Sequence, residues 1–172
     1  MERHIEVVSE HDLALADRKA IEKWSQEIFG EAEEEYDWAR PDWRILVRIN
    51  GQMAAHVAIT QRTVTTNGEP ARVGGVGGVM SPREFQGKGH AKAAMLHAHA
   101  YMRESLHLEF GFLFCSANLL RYYQRLGWQH IDGPVSFAQD EGDATWQEEA
   151  MVLPLTDRQW PGPPVDINGR PW

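Results

Sequence analysis

Gln86-Gly87-Lys88-Gly89-His90-Ala91 is the segment of this sequence whose residue types and spacing can do chemistry. An extended, mostly apolar stretch runs into Pro82, and an unbroken helical pattern follows the glycines. Gly87 and Gly89 leave main-chain N–H groups bare where a helix begins. There the first amides have no intrahelical partner, and the macrodipole adds about half a positive charge. Such a turn grips a diphosphate. A Walker loop is excluded, because Gly-Lys is followed by Gly89 and no hydroxyl could reach magnesium. A dinucleotide fingerprint is excluded too, because Lys92 holds the third glycine position and no alternating strand-helix pattern surrounds it. Other reactive side chains lack partners. His97 and His99 sit two apart on the predicted helix and diverge by about 200°, so they cannot share a metal. His90, His107 and His130 show no ligand spacing, and no metal site is expected. Cys115, the one cysteine, ends an apolar run with no base beside it and reads as a small core filler.

The elements that must position this loop follow from periodicity. Apolar residues at Leu13, Leu15, Ile21, Trp24, Ile28 and Phe29 predict a helix over 12–29, with Gly30 as its stop. An acidic segment with aromatic inserts follows, from Glu31 to Pro41. Strands are predicted over 43–49, 53–65 and 71–81, and Asn50-Gly51 and Asn67-Gly68 between them are strong hairpin signals. This meander leads directly into the loop. A helix is expected over 87–105, a buried strand over 110–115 and a second helix over 117–126, ended by Gly127. A final strand pair is expected over 128–137 and 145–155. The tail 156–172 is expected to be irregular, leaving one domain over 1–172 with its core at about 12–155.

Composition bounds the function. A chain of 172 residues with 42% hydrophobic content can bury a sizeable core. No apolar run is long enough to span a bilayer, and the first residues lack a signal-peptide layout, so a cytoplasmic setting without membrane partners is expected. The formal charge of -8 argues against nucleic acid, whose binders gather Lys and Arg. It suits a cationic partner.

The loop, preceded by Val79-Met80-Ser81-Pro82, resembles the acyl-coenzyme A loop of the GNAT N-acetyltransferase superfamily, Gln/Arg-x-x-Gly-x-Gly/Ala. Asn118-Leu-Leu-Arg-Tyr-Tyr-Gln-Arg-Leu-Gly-Trp128 is similar to that family's second loop-side helix. The resemblance covers 12–155 and implies an α/β (α+β) single-domain fold: a central mixed, mostly antiparallel sheet, a splayed strand pair and flanking helices. It implies acetyl-CoA as cosubstrate. The diphosphate would lie on the amides of Gly87, Lys88, Gly89, His90 and Ala91, with Gln86 shaping the turn; Arg83, Lys88 and Lys92 could screen its charge. Val79 and Ser81 would offer backbone groups to pantetheine, and Asn118 would face it. Tyr123, four residues before Gly127, would be the acid that protonates the leaving thiolate. Many relatives carry a glutamate base where this chain has Gly77. Glu33, Glu34, Glu35, Asp37 and His56 are open substitutes, as is proton loss through water.

Tyr36-Asp37-Trp38, Ala54 to Arg62, Leu126-Gly127-Trp128 and the closing Trp172 look like the aminoglycoside 2'-N-acetyltransferases. The stretch Trp160 to Pro171 is similar to the end of the nodulation-factor acyltransferase. Both relatives acylate amines on sugars. The likeness implies that Asp37 and the main-chain carboxylate of Trp172, with Glu35 in the acidic segment, contact a cationic acceptor. Arg170 departs from the drug-modifying pattern, which has an aspartate there. The expectation is therefore an acetyl-CoA-dependent N-acetyltransferase for a primary amine of a small molecule, an aminoglycoside or amino sugar. The alternatives are a protein or peptide N-acetyltransferase and an acyl-CoA-binding module without turnover. Relatives of this kind often pair as homodimers, though no residue here marks the interface.

Overall fold

The computed structural model describes residues 2–172, the side chain of Glu33 excepted. The fold is a single α+β domain built on a curled, mixed sheet. Its spine is β3 (Gln52–Thr66), paired antiparallel with β4 (Glu69–Met80) along one side. On its other side β3 pairs first with β2 (Trp43–Ile49) and, at its far end, with β10 (Val165–Asp166). The hairpin turns are those the sequence predicts. Asn50 and Asn67 adopt φ of 48° and the following Gly51 and Gly68 adopt 82° and 79°, the double left-handed geometry that asparagine-glycine tolerates.

Two parts of the sheet lie outside the expected core. β1 (Arg3–Ser9) pairs along the whole of β2, and its alternation of Ile5 and Val7 with Glu6 is the signal for it. The tail is not irregular throughout, because β10 inserts between β3 and β7 (Val135–Phe137). The expected last strand pair is broken up. Asp132-Gly133-Pro134 separates β6 (Gln129–His130) from β7, and β8 (Ala144–Thr145) from β9 (Glu149–Pro154) is separated by residues 146–148. β9 then pairs with β5 (Phe110–Cys115) and β6, while β7 pairs with β8 and β10.

Helices cover both faces. α1 (Leu15–Phe29) ends at Gly30 and buries Ile21 against Leu46, Met53 and Met80. Leu15, Ile28 and Phe29 stay exposed. After a short α2 (Ala32–Glu35), the opposite face is covered by α3 (His90–Ala100), whose Ala94, Met95 and Ala98 pack on Ile45, Val47, Val57 and Val76. α3 starts three residues later than periodicity suggests, because Gly87 and Gly89 take φ of 74° and 81°, which no α-helix accommodates. Its far end widens into a π turn over Tyr101–Ser105, and α4 (Leu120–Gln124) follows a 3₁₀ turn at Ala117–Leu119. Among the described residues no helix is long and apolar enough to cross a membrane.

Candidate active site

A gap opens where β4 and β5 part. Their parallel pairing runs from Val73↔Phe110 to Val76↔Leu113 and stops. Beyond it, β4 continues through Gly77, Gly78, Val79 and Met80 while β5 turns to its other neighbour. β4 is also bulged here: His56 faces Met80 and Ala58 faces Gly77, so Gly78 and Val79 have no partner in either register. Gly78 sits at φ 57°, the left-handed first position of a glycine bulge. Main-chain groups on an edge left outside both ladders are free to seek other partners.

At the end of this edge lies the glycine loop. Gly87, Lys88 and Gly89 are exposed, and a Cβ on either glycine would meet nothing within 4 Å, so the approach to their amides is open. No side chain caps the start of α3. His90, its first residue, is 2% exposed, and neither ring nitrogen has a hydrogen-bond partner. Ala91 is half-buried behind it. Gln86 shapes the turn by donating from Nε2 to the Ser81 carbonyl at 2.9 Å, and Ser81 Oγ donates to Ala54 O at 2.7 Å. Lys88 bends back to the Glu84 carbonyl at 2.9 Å. A groove of about 410 Å³ lies between α1 and the loop, lined by Trp24, Glu27, Ile28, Pro82, Arg83 and Gln86.

The two faces of the gap differ. Tyr123 on α4 belongs to the cluster of Leu113, Cys115 and α3. It is 6% exposed, packed among these side chains. Burial raises its phenol, with Tyr122 and Cys115 adding to the rise, and keeps it protonated at neutral pH. Tyr122 packs edge-on against it at 5.0 Å, half-buried. Burial, then Glu149 and Glu148, pushes the Cys115 thiol up to about 11, which removes thiolate chemistry. Asn118 is exposed on the 3₁₀ turn and bonded to Ser116 Oγ.

The other face is aromatic and acidic. Phe114 stacks on Trp146 at 4.7 Å and on Trp172 at 5.7 Å, and Tyr36 meets Trp146 at 5.7 Å. Burial raises the Tyr36 phenol, with Glu35 and Glu148 adding to the effect. Trp172 is held from three sides. Its Nε1 donates to Phe112 O at 3.0 Å, the Arg62 guanidinium covers its ring at 5.1 Å, and Arg62 Nη1 donates to Arg170 O at 2.6 Å. Two glycines make room for it. A Cβ on Gly75 would meet its ring at 2.1 Å, and one on Gly77 would meet its carbonyl carbon at 2.9 Å and oxygen at 3.2 Å. A glutamate at position 77 would therefore require the end of the tail to shift.

The substitutes considered for that base separate. His56 is 1% exposed with both ring nitrogens engaged, and burial, with Arg44 second, lowers it to about 3. It is not a base in contact with substrate. Asp37 is half-buried, and its Oδ2 accepts from Asp140 N at 3.1 Å, which ties the acidic segment to the β7–β8 loop. Glu34 and Glu35 are exposed, and Glu33 lies outside the described side chains. Sequence reasoning missed Glu148, in the β8–β9 connection, and Glu149, at the start of β9, which enter the field of this site. It also missed that Arg170 pairs with Asp140, which neutralises the cation.

The model of the acetyltransferase (GNAT) domain matches residues 13–131. Solved structures with this fold include YhbS from Escherichia coli in complex with CoA, at 14% identity and TM-score 0.64, covering 96% of this chain and 89% of that one. ElaA from Escherichia coli aligns at 15% identity and TM-score 0.62, and an acyl-CoA N-acyltransferase from Pseudomonas aeruginosa at 19% and 0.60; each alignment covers 88% of this chain and 99% of the other. No curated protein sequence matches the chain.

Proposed function

The chain belongs to the GNAT acetyltransferase family, and from that premise we propose that it transfers an acetyl group from acetyl-CoA to a primary amine of a small cationic molecule, an amino sugar or aminoglycoside. One observation supports the reading: β4 and β5 part beyond Val76 and Leu113, and the side-chain clusters around β5 hold Tyr123 in one and Phe114, Trp146 and Trp172 in the other. Acyl transfer to a cationic amine can use both, a proton donor for the leaving thiolate and a wall that attracts the acceptor.

The amides of Gly87, Lys88, Gly89, His90 and Ala91 would hold the diphosphate, with the orphaned imidazole of His90 behind them. Val79 and Ser81 would receive the pantetheine arm, and Asn118 would line its other side. N–H groups at the bulge would polarise the thioester carbonyl. Tyr123, protonated at neutral pH, would deliver its proton to the departing sulfur.

On the acceptor face, aromatic walls attract an ammonium through their π faces, and Glu35, Asp37 and Glu148 add negative charge. The Trp172 carbonyl oxygen, beside Gly77, would accept an N–H from the attacking amine. Among the described residues His56 is ruled out as a base in contact with substrate, and the amine's proton would leave through water. The dense hydrogen bonding of the tail to Arg62 supports a rigid acceptor wall.

The test is a screen of aminoglycosides, glucosamine, polyamines and peptides with acetyl-CoA, read by mass and by release of the CoA thiol. Acetylated amino sugars are the expected product. Acetylated peptides without acetylated sugars would move the assignment to a protein substrate. Binding of acetyl-CoA without thiol release for any amine would leave an acyl-CoA-binding module.

A further inference from the structure

We propose that His56 is a positioning residue of the acyl-transfer site: a neutral imidazole, anchored by Arg44, that ties back the Gly78 carbonyl and fixes the bulge presenting Val79 to the gap. The inference rests on the acetyltransferase reading above and concerns the shape of β4 rather than a group touching substrate.

The bulge leaves the Gly78 carbonyl outside the β3–β4 ladder. His56, from β3, reaches it at 2.7 Å through Nδ1. A carbonyl only accepts, so Nδ1 bears the hydrogen. Arg44 Nη1 approaches Nε2 at 3.0 Å, and a guanidinium only donates, so Nε2 is bare. The ring is held in one neutral tautomer by its two neighbours. Arg44 is fixed in turn: its Nε donates to Glu10 Oε2 at 2.6 Å, and Arg18 Nη1 donates to Glu10 Oε1 at 2.6 Å. Burial alone would raise the Glu10 carboxyl, but hydrogen bonds from Arg44 and Arg18 outweigh it and hold it below its usual range. The chain Arg18–Glu10–Arg44–His56–Gly78 therefore runs from α1 to the reacting edge through satisfied contacts.

Space is as tightly set as charge. A Cβ on Gly78 would stand 3.0 Å from His56 Cε1, so ring and glycine are packed against each other. An apolar residue of similar size would fill the volume and leave the carbonyl unpaired, at a desolvation cost of about 1–3 kcal/mol. The bulge would relax to recover that bond. Donors serve a developing oxyanion only at about 2.7–3.1 Å, and a shift of order 1 Å can cost about 100-fold in rate.

His56→Gln keeps a donor for Gly78 and an acceptor for Arg44; His56→Leu keeps volume and removes both. With the best amine from the screen, His56→Leu is expected to lower kcat by about 10- to 100-fold. The Kd for CoA, which lacks the acyl carbonyl, should change less than about threefold by calorimetry, and His56→Gln should recover most of kcat. An unchanged kcat in a folded His56→Leu variant overturns the proposal. Equal losses in both variants, or CoA binding lost in step with kcat, overturn it as well. Should His56→Leu not fold, Arg44→Met, which frees Nε2 and retains bulk, is read the same way. If the wild-type protein acetylates no amine, the transferase reading falls. The ratio of acetyl-CoA to CoA affinity then still decides: it should drop in His56→Leu and return in His56→Gln.

Discussion

Gly75→Ala tests whether the tail is a structural wall of the site. The new Cβ would sit 2.1, 2.2 and 2.5 Å from three atoms of the Trp172 indole, closer than any carbon tolerates, so the ring must leave its place. Removing a buried aromatic side chain costs about 3–5 kcal/mol, and Trp172 is 9% exposed with its Nε1 bonded to Phe112 O. Gly75→Ala should therefore destabilise by about 3 kcal/mol, although alanine in a strand otherwise gains about 0.5–1 kcal/mol over glycine. Trp172→Ala alone should cost a similar amount. In Gly75→Ala/Trp172→Ala the new methyl enters vacated space, so the double variant should be no less stable than Trp172→Ala. The cycle would then show coupling of about 3 kcal/mol. Urea unfolding of the four proteins measures this, and each single variant should lose roughly 6–12 °C of Tm for a chain of this size. Costs that add within about 0.5 kcal/mol, or a Gly75→Ala as stable as wild type, would refute the argument.

Tyr123→Phe removes only the phenolic hydroxyl. With the best acceptor, kcat should fall by about 10²- to 10⁴-fold, while calorimetric binding of acetyl-CoA stays close to wild type. Equal turnover would take Tyr123 out of the mechanism. Two buried histidines predict acid sensitivity. His56 faces Arg44 and the Gly78 carbonyl and is lowered to about 3; His99 accepts from Trp128 Nε1 and is lowered to about 4, by burial and then by Arg103. The unfolded chain takes up these protons near pH 6.5 and the folded chain does not, so the stability they contribute is complete above that pH and is lost as pH falls below it. Between pH 7 and 5 each should remove about 2 kcal/mol, and His56→Gln should cancel its own share in urea titrations at both pH values. Identical pH slopes in wild type and variant would contradict this.

What could be read from the residues alone was local. Asn50-Gly51 and Asn67-Gly68 demand left-handed φ, Phe110 to Cys115 is apolar on both faces, and the glycines before His90 keep amides bare; each is a property of a few neighbouring residues. The loop, the strand that feeds it and the helix of Tyr123 were legible for that reason. The breaks at Asp132-Gly133-Pro134 and the late start of α3 were misjudged because apolar periodicity does not report a positive φ or a change of strand partner.

Tertiary structure decided everything that depends on residues far apart in the chain. Gly77 read only as the position lacking a glutamate base until Trp172 is seen filling the space beside it and Gly75. His56 read as a candidate base until burial between Arg44 and Gly78 made it neutral and doubly bonded. Arg170 read as a departure from the aspartate of the drug-modifying pattern until Asp140 was found paired with it. A sequence records what a residue can donate, accept or tolerate. Which of those capacities is used depends on the partner the fold brings within about 3 Å, and that partner is set by chain packing over the whole domain.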